Sequence, residues 1–402
     1  MYFAQHHRLN ACFFLFAVGL GALLARMPDL QVALGVNKAG LGLTLIGMAL
    51  GALTSLTLST PLISRFGARN TAFVTVIGTA AIYALIPWLP SAPIVFAAFY
   101  CAGLLAGALE INLNVEIGKE EARSGRSIMN RAHGFWSLGF FVTALFASFV
   151  RQSGMSMHLH VGLAFCVVLI AGGWVISGLR DTPSEATPEL EHPQHFAFPT
   201  MALLPLCIIG IAAFLVEGAG IDWSAIYMRD VFEVEPFIGG LGLTLFTFFM
   251  AMVRLFVDPL VDRYGARHVC TALLLLSAVG LLAVWLAPYS YVALFGFALM
   301  GAGCSAVYPL AVSAAARRSD RSAHLNVAAL GQVTFIVFFL APPLLGFVAE
   351  HFGIRIAYLI CLPLVIGALL SVKALSSEKR SRDDMDGQIG RASCRERVLM
   401  PV

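Results

Sequence analysis

Apolar residues run through this chain in twelve blocks, each near the roughly 20 positions that a helix needs to cross a bilayer. The blocks lie near 10–27, 40–62, 71–89, 92–116, 133–151, 158–179, 201–224, 238–260, 268–287, 291–314, 326–348 and 355–375. Short polar joints separate them. The pattern predicts an all-α integral membrane protein with twelve spans. The first block is not read as a cleaved signal peptide, because no small-residue cleavage site follows it and it runs into Arg26-Met27-Pro28. The longest hydrophilic joint, 180–199, carries Pro183, Pro188 and Pro193 with several acids. It divides the chain into an N-terminal half (1–179) and a C-terminal half (200–376), each of six spans. A polar tail, 377–402, follows.

Composition supports that reading. Of 402 residues, 59% are hydrophobic and 12% charged, and the mean hydropathy is +0.83. A soluble domain carries about 25% charged residues. The chain therefore lacks the polar surface that soluble enzymes, nucleic-acid binders or secreted disulfide scaffolds need. Its eight cysteines are scattered without metal-ligand spacing and read as small buried hydrophobes. The net charge of +3 matters less than where the cations lie. With the N-terminus inside, the inner joints hold Arg8, Arg65, Arg69, Lys119, Arg123, Arg126, Arg131, Arg180, Arg263, Arg267, Arg317, Arg318 and Arg321. The outer joints hold only Arg26, Lys38, Arg151, Arg229 and Arg355. This bias places both termini in the cytoplasm.

A repeat sharpens the architecture. Residues 60–69 read Thr-Pro-Leu-Ile-Ser-Arg-Phe-Gly-Ala-Arg, and residues 258–267 read Asp-Pro-Leu-Val-Asp-Arg-Tyr-Gly-Ala-Arg. The offset is 198, and near that offset Gly103 recurs as Gly301 and Gly154 as Gly353. Parallel six-helix halves with a solute site between them are a recurring transporter plan. The segments resemble the Gly-x-x-x-Asp-Arg-x-Gly-Arg-Arg loop of the major facilitator superfamily. Arg65, Gly67 and Arg69 match in the first half, and Asp262, Arg263, Gly265 and Arg267 in the second. The first-half acid is replaced by Ser64, and the expected glycines by Thr60 and Asp258. Two readings stand for the arginines: a conformational latch that includes Asp262, or positive-inside anchors.

Ionisable groups inside a span cost about 2.5–3.5 kcal/mol on insertion scales, so each needs a reason. Glu110, His133, Glu217 and Arg254 are such groups; Arg26 and Asp222 lie near span ends. Asn114 shares a helix face with Glu110, whereas Asn112 points away. Desolvation there favours a carboxyl that carries a proton; the alternative is an acid satisfied by Asn114 or a basic partner. Leu109-Glu110-x-x-x-Asn114, the Asn130–Gly139 segment that contains His133, and Glu217 with Trp223 resemble the fucose permease family of proton–sugar symporters. The resemblance implies Glu110 as the proton-coupling residue and His133 as a substrate contact; Asn114, Glu217 and Trp223 are further candidate substrate-binding residues. Arg26 stands where that family has an acid. Trp223 also suits an interface anchor, and His133 a packing role. Arg254 reads as a cavity cation that binds solute, or as an i,i+4 partner of Asp258. Gly218 and Gly220 are expected to weaken the seventh span, and Gly301, Gly303, Pro342 and Pro343 to shape bending and packing. Arg26 is expected to gate the outer face by pairing with Asp222 or Glu217.

Together these features imply a secondary transporter of a small polar solute, sugar-like first, driven by protons, in a bacterial cytoplasmic membrane. Export of amphipathic compounds against protons, or a non-transporting receptor on the same fold, are the alternatives. The expected partners are a small-molecule substrate, protons and the lipid bilayer, for a monomer without nucleic acid, cofactor or metal. No H-x-x-x-H or H-E-x-x-H pattern and no phosphate-binding loop occurs, so no enzyme is expected. Residues Ile389–Val398 resemble a translated sequencing adapter, which would make about 388–402 foreign to the protein; a genuine basic tail is the alternative.

Overall fold

A computed structural model describes residues 4–124, 128–180, 198–318, 320–321 and 323–376. Arg126, most of the joint at 180–199 and the tail beyond Ser376 lie outside the described residues. The first half contains α1 (Gln5–Leu24), α2 (Met27–Leu34), α3 (Lys38–Phe66), α4 (Ala68–Leu85), α5 (Ala92–Ser124), α6 (Met129–Gln152) and α7 (Met157–Ser177). The second contains α8 (Leu204–Phe232), α9 (Pro236–Phe256), α10 (Asp258–Tyr264), α11 (Ala266–Leu286), α12 (Ser290–Cys304), α13 (Val307–Ala316), α14 (Ala323–His351), α15 (Ile354–Leu359) and α16 (Leu362–Ser371). No strand occurs among the described residues.

Eleven spans among the described residues are long and apolar enough to cross a membrane. The 29-residue α14 coincides with the remaining predicted block. Large apolar side chains such as Leu370, Ile170 and Phe295 face outward and are largely exposed, as befits surfaces solvated by lipid tails.

The sequence repeat is a structural repeat. Gly67 and Gly265 each end one helix and open the next with φ near 80° (78° and 81°) and ψ of 159° and 150°. A side chain would strain that conformation, which explains the glycine at both places. Gly103 and Gly301 are equivalent in packing as well. A Cβ on Gly103 would strike the Met48 carbonyl on α3, and one on Gly301 the Phe246 carbonyl on α9. Met48 and Phe246 are themselves 198 positions apart. The tight α3–α5 and α9–α12 crossings are therefore one motif used twice.

The halves meet along α6 with α9, α3 with α14, and α2 with α8. Glycines set these crossings: Gly240 lies against Ser148, and Gly42 against the Pro342 carbonyl. The helix α14 runs unbroken through Pro342 and Pro343. Two expectations for α8 fail. It continues to Phe232 rather than ending near 224, and it is regular through Gly218 and Gly220. Gly220 serves close packing instead, since a side chain there would meet the Phe246 ring.

Candidate functional site

The bundle has a basic end, where Arg65, Arg69, Arg263 and Arg267 are exposed at the α3–α4 and α10–α11 turns. At the opposite end α1 stops at Leu24 and the chain restarts as α2 at Met27. The break puts Arg26 at the N-cap of α2, with Pro28 inside its first turn. Proline fits there because it has no N–H to satisfy.

Arg26 is almost fully buried, at 3% exposure. Its Nη1 donates to Asp29 Oδ2 at 2.8 Å, its Nη2 to the Met155 carbonyl at 2.8 Å, and its Nε to His160 Nδ1 at 3.1 Å. Arg151 completes the cluster by donating Nε to Asp29 Oδ2 (3.1 Å) and Nη2 to Asp29 Oδ1 (2.9 Å). Burial works against the Asp29 charge, but the two guanidiniums outweigh it and hold the carboxyl below its usual range. The expected pairing of Arg26 with Asp222 or Glu217 is thus not made. Asp29, in the first turn of α2, and the carbonyl of Met155 are nearer partners, and the cluster stays within the first half.

Other residues join the halves at this end. Arg229, near the end of α8, donates Nη1 to the Pro28 carbonyl (3.1 Å) and Nη2 to Gln31 Oε1 (2.7 Å). Its Nε holds Asp230 Oδ1 at 2.7 Å, and Asp230 Oδ2 lies 3.0 Å from Lys38 Nζ. The Lys38 backbone N–H donates to Glu350 Oε2 at 3.0 Å. Gln152 donates to Glu235 Oε2 and accepts from the Phe237 N–H, each at 3.1 Å. Arg229 and Gln31 are separated by 198 residues, the repeat offset. Two positions related by a pseudo-twofold axis can touch only near that axis, so this contact marks where the axis leaves the bundle.

The second polar cluster lies deep in the bundle. On α9, Arg254 donates Nη2 to Glu217 Oε2 (3.3 Å), Nη1 to Ser137 Oγ (2.9 Å) and Nε to the Ser305 carbonyl (3.0 Å). Its guanidinium carbon also sits 5.9 Å from the Trp136 ring centroid. Glu217 belongs to α8 and Ser305 to the break between α12 and α13, whereas Ser137 and Trp136 belong to α6 of the other half. Arg254 therefore ties its own half to one helix of the other. It forms its ion pair with Glu217, not with Asp258. Depth decides between the two acids: Glu217 is 8% exposed, and a buried carboxylate needs a cation more than one at a helix end does.

Glu110 is the contrasting acid. It is exposed although it sits well inside the 33-residue α5. It has no hydrogen bond or ion pair among the described residues. It comes within Coulombic reach of Glu217 and Tyr308, both in the second half. Tyr308 is the repeat mate of Glu110, again 198 residues on. Glu110 therefore lies close to the pseudo-twofold axis, between the halves. Asn114 does not satisfy it, and the Asn114 Oδ1 is itself without a partner. Asn112 faces away, donating to the Ala68 carbonyl at 2.9 Å. His133 is half-buried, with its ring centroid 5.0 Å from that of Phe13.

Trp223 departs from both expectations for it. It is 2% exposed and packs against Gly346 of α14, so it neither anchors an interface nor offers a free face. Asp222 beside it is half-buried and has no hydrogen bond or ion pair among the described residues. At the basic end Asp262 forms no ion pair with Arg65, Arg263 or Arg267. The α10–α11 turn leaves the Asp262, Arg263 and Arg267 side chains exposed.

The Major Facilitator Superfamily family model matches residues 206–390. An uncharacterized transporter of Sinorhizobium fredii is 28% identical over 354 residues, covering 87% of this chain and 92% of that protein. An uncharacterized MFS-type transporter of Yersinia pestis is 26% identical, covering 93% and 96%. In fold the chain is similar to a D-xylose–proton symporter (TM-score 0.70, 14% identity, 94% and 98% covered). It is also similar to the nucleoside transporter NupG (0.68, 12%, 93% and 99%) and to FucP in the outward conformation (0.64, 16%, 93% and 99%).

Proposed function

We propose that the chain, similar over most of its length to transporters of the Major Facilitator Superfamily, is a member of that superfamily and carries out proton-coupled transport of a small polar solute, sugar-like in chemistry. It works as a monomer by alternating access, in a bacterial cytoplasmic membrane with both termini in the cytoplasm. The observation that carries this reading is Glu110: a carboxyl near the axis between the halves, exposed and without a fixed partner among the described residues. Such a group can take up and release a proton as access alternates, whereas Glu217 is already held by Arg254. Asn114 and His133 supply polar contacts on the Glu110 side, and Arg254 with Glu217 on the other. Two similar folds, a D-xylose–proton symporter and a nucleoside transporter, handle hydroxyl-rich solutes, which supports a sugar-like choice.

Positive-inside bias makes the basic end cytoplasmic. The Arg229, Lys38 and Gln152 contacts then hold the outer face closed. Arg65, Arg69, Asp262, Arg263 and Arg267 form the opposing gate when the inner face closes. The cluster of Arg26 with Asp29 stiffens the outer end of the first half. A second reading, export of amphipathic cations against protons, draws support from Glu110 and Asp222, acids without a cation beside them among the described residues.

The test begins with a thermal-stability screen of purified protein against pentoses, hexoses and nucleosides. Uptake of the hit into liposomes is then measured with and without a proton gradient. Glu110→Gln is expected to abolish gradient-driven accumulation while keeping solute counterflow. Accumulation at the wild-type rate by Glu110→Gln would overturn the assignment.

A further inference from the structure

A cavity of about 870 Å³ lies away from the axis, between α9 and α11 where they meet α10. Cavities of this size can bury most of a small ligand. Its walls are apolar: Val253, Phe256, Leu260 and Leu276 are among them. Phe256 is 66% exposed and Leu260 49%, so the groove opens outward from the bundle, into the hydrocarbon that surrounds the spans. A water-soluble solute would not reach it. Polar groups occur at one margin only, where Arg263, Tyr264 and His268 border it as the spans leave the membrane.

Arg263 supplies the positive charge of that margin, with Tyr264 and His268 beside it. Arg263 is exposed, with its guanidinium carbon 5.3 Å from the Tyr264 ring centroid and no ion pair among the described residues. The nearby acids of α10, Asp258 and Asp262, do not line the groove. His268 Nδ1 is 2.9 Å from the Tyr264 carbonyl. A carbonyl only accepts, so Nδ1 is the donor; Nε2 can then donate to a phosphate oxygen when the ring is the imidazolium, in which both nitrogens carry protons. The first-half repeat makes the comparison informative. There Asn70 makes the same backbone contact, donating to the Phe66 carbonyl at 3.0 Å. The second half thus keeps the contact while replacing Asn70 by His268 and Phe66 by Tyr264. Each change brings a ring with a polar atom beside the repeated arginine.

We propose that the α9–α10–α11 groove is a binding site for an anionic phospholipid, with one acyl chain along Val253, Phe256 and Leu276 and the headgroup phosphate on Arg263 and His268. Apolar walls match the chain, and a basic margin at the membrane border matches the phosphate. The charge complementarity selects an anionic headgroup over a zwitterionic one of the same chain length.

Native mass spectrometry of the delipidated full chain tests this, with phosphatidylglycerol and phosphatidylcholine of identical chains added in turn. Wild type is expected to retain phosphatidylglycerol preferentially. The Arg263→Gln/His268→Gln variant should lose that preference by about fivefold or more. Val253→Trp, which fills the groove, should lower retention of both lipids at this site. Arg65→Gln, the equivalent first-half position, should leave the preference intact. The proposal is overturned if the double variant keeps the wild-type preference, if Arg65→Gln lowers it as much, or if sn-glycerol 3-phosphate alone competes as well as the lipid. The last result would make this a phosphate site without a chain.

Discussion

Substituting Arg229 by Ala should open the end of the bundle that α2 and α8 close. The side chain makes two contacts to the first half, with the Pro28 carbonyl at 3.1 Å and Gln31 Oε1 at 2.7 Å. Fully buried hydrogen bonds from a charged donor contribute about 1.5–3 kcal/mol each. The Arg229 side chain is 33% exposed, so each is discounted to about 1 kcal/mol. The closed state then loses about 2 kcal/mol relative to the open one, a population shift of roughly 30-fold. The remaining links through Lys38, Asp230, Glu350 and Gln152 persist, so the variant should populate both states. Double electron–electron resonance reads this directly. Spin labels go on Val32 and Tyr289, both well exposed at this end on opposite halves, in a background lacking native cysteines. A longer-distance population should appear or grow in Arg229→Ala, and Gln31→Ala should produce about half the free-energy shift. An unchanged distance distribution in Arg229→Ala would refute the view that this contact near the axis biases the state.

Glu217→Gln leaves Arg254 buried without its anion, and should lower thermal stability by an amount corresponding to about 3–5 kcal/mol; pairing it with Arg254→Met should recover much of the loss in the same melting assay. Gly103→Ala and Gly301→Ala, each forcing a Cβ into a neighbouring carbonyl, should both reduce the monodisperse yield in size-exclusion chromatography. Asp29→Asn should leave Arg26 and Arg151 without the charge that joins them, and lower the melting temperature at pH 7. Asp320 supplies the pH prediction: burial opposes its charge, but hydrogen bonds from Arg318, Asn326 and Thr200 hold its pKa at about 2. A folded-state value below the unfolded one gives stability that is complete above about pH 4 and lost as pH falls toward 2. The melting-temperature difference between wild type and Asp320→Asn should therefore shrink as the pH is lowered across that window.

The spans were legible because membrane helices announce themselves by length and hydropathy alone. The repeat was legible because Gly67 and Gly265 meet a backbone demand that only glycine meets cheaply. Their identical dihedral class is the structural content of the sequence match. The polar network was much less so. Arg229 and Gln31, Lys38 and Asp230, or Gln152 and Glu235 have no common period, and each pair is brought together only by the packing of two halves. Counting Lys38, Arg151 and Arg229 as outer cations missed the contacts they make at that end. Arg26 misled for a related reason. Its place near a span end was readable, but the break after Leu24 turned it toward Asp29 and Met155 rather than across to α8. One signal was available in the sequence: at the repeat offset, Gln31 aligns with Arg229 and Glu110 with Tyr308.

That signal has a mechanical consequence. In a parallel repeat the axis runs along the membrane normal, so residues that approach their own repeat mates line the passage between the halves. Gln31 with Arg229 marks one end of it, and Glu110 with Tyr308 an inner station. The symmetry is broken at each of these pairs: a neutral amide meets a guanidinium, and an acid is matched at the repeat offset by a phenol. A solute on the axis therefore meets unlike walls, and a proton on Glu110 is not mirrored by one on its mate. Arg254 reinforces the difference, since its counterpart 198 positions earlier is Leu56, which carries no charge. Glu217 is matched in the same way by Gly19, so neither member of the buried ion pair is repeated in the first half. The second half consequently holds its own buried charge pair and lends one hydrogen bond to Ser137 of the first. In the proposed alternating access, the Glu217 pair can travel intact within its half while the Ser137 bond, which crosses between the halves, must break. In the proposed proton-coupled cycle, Glu110 on the first-half side is the acid left to change its charge.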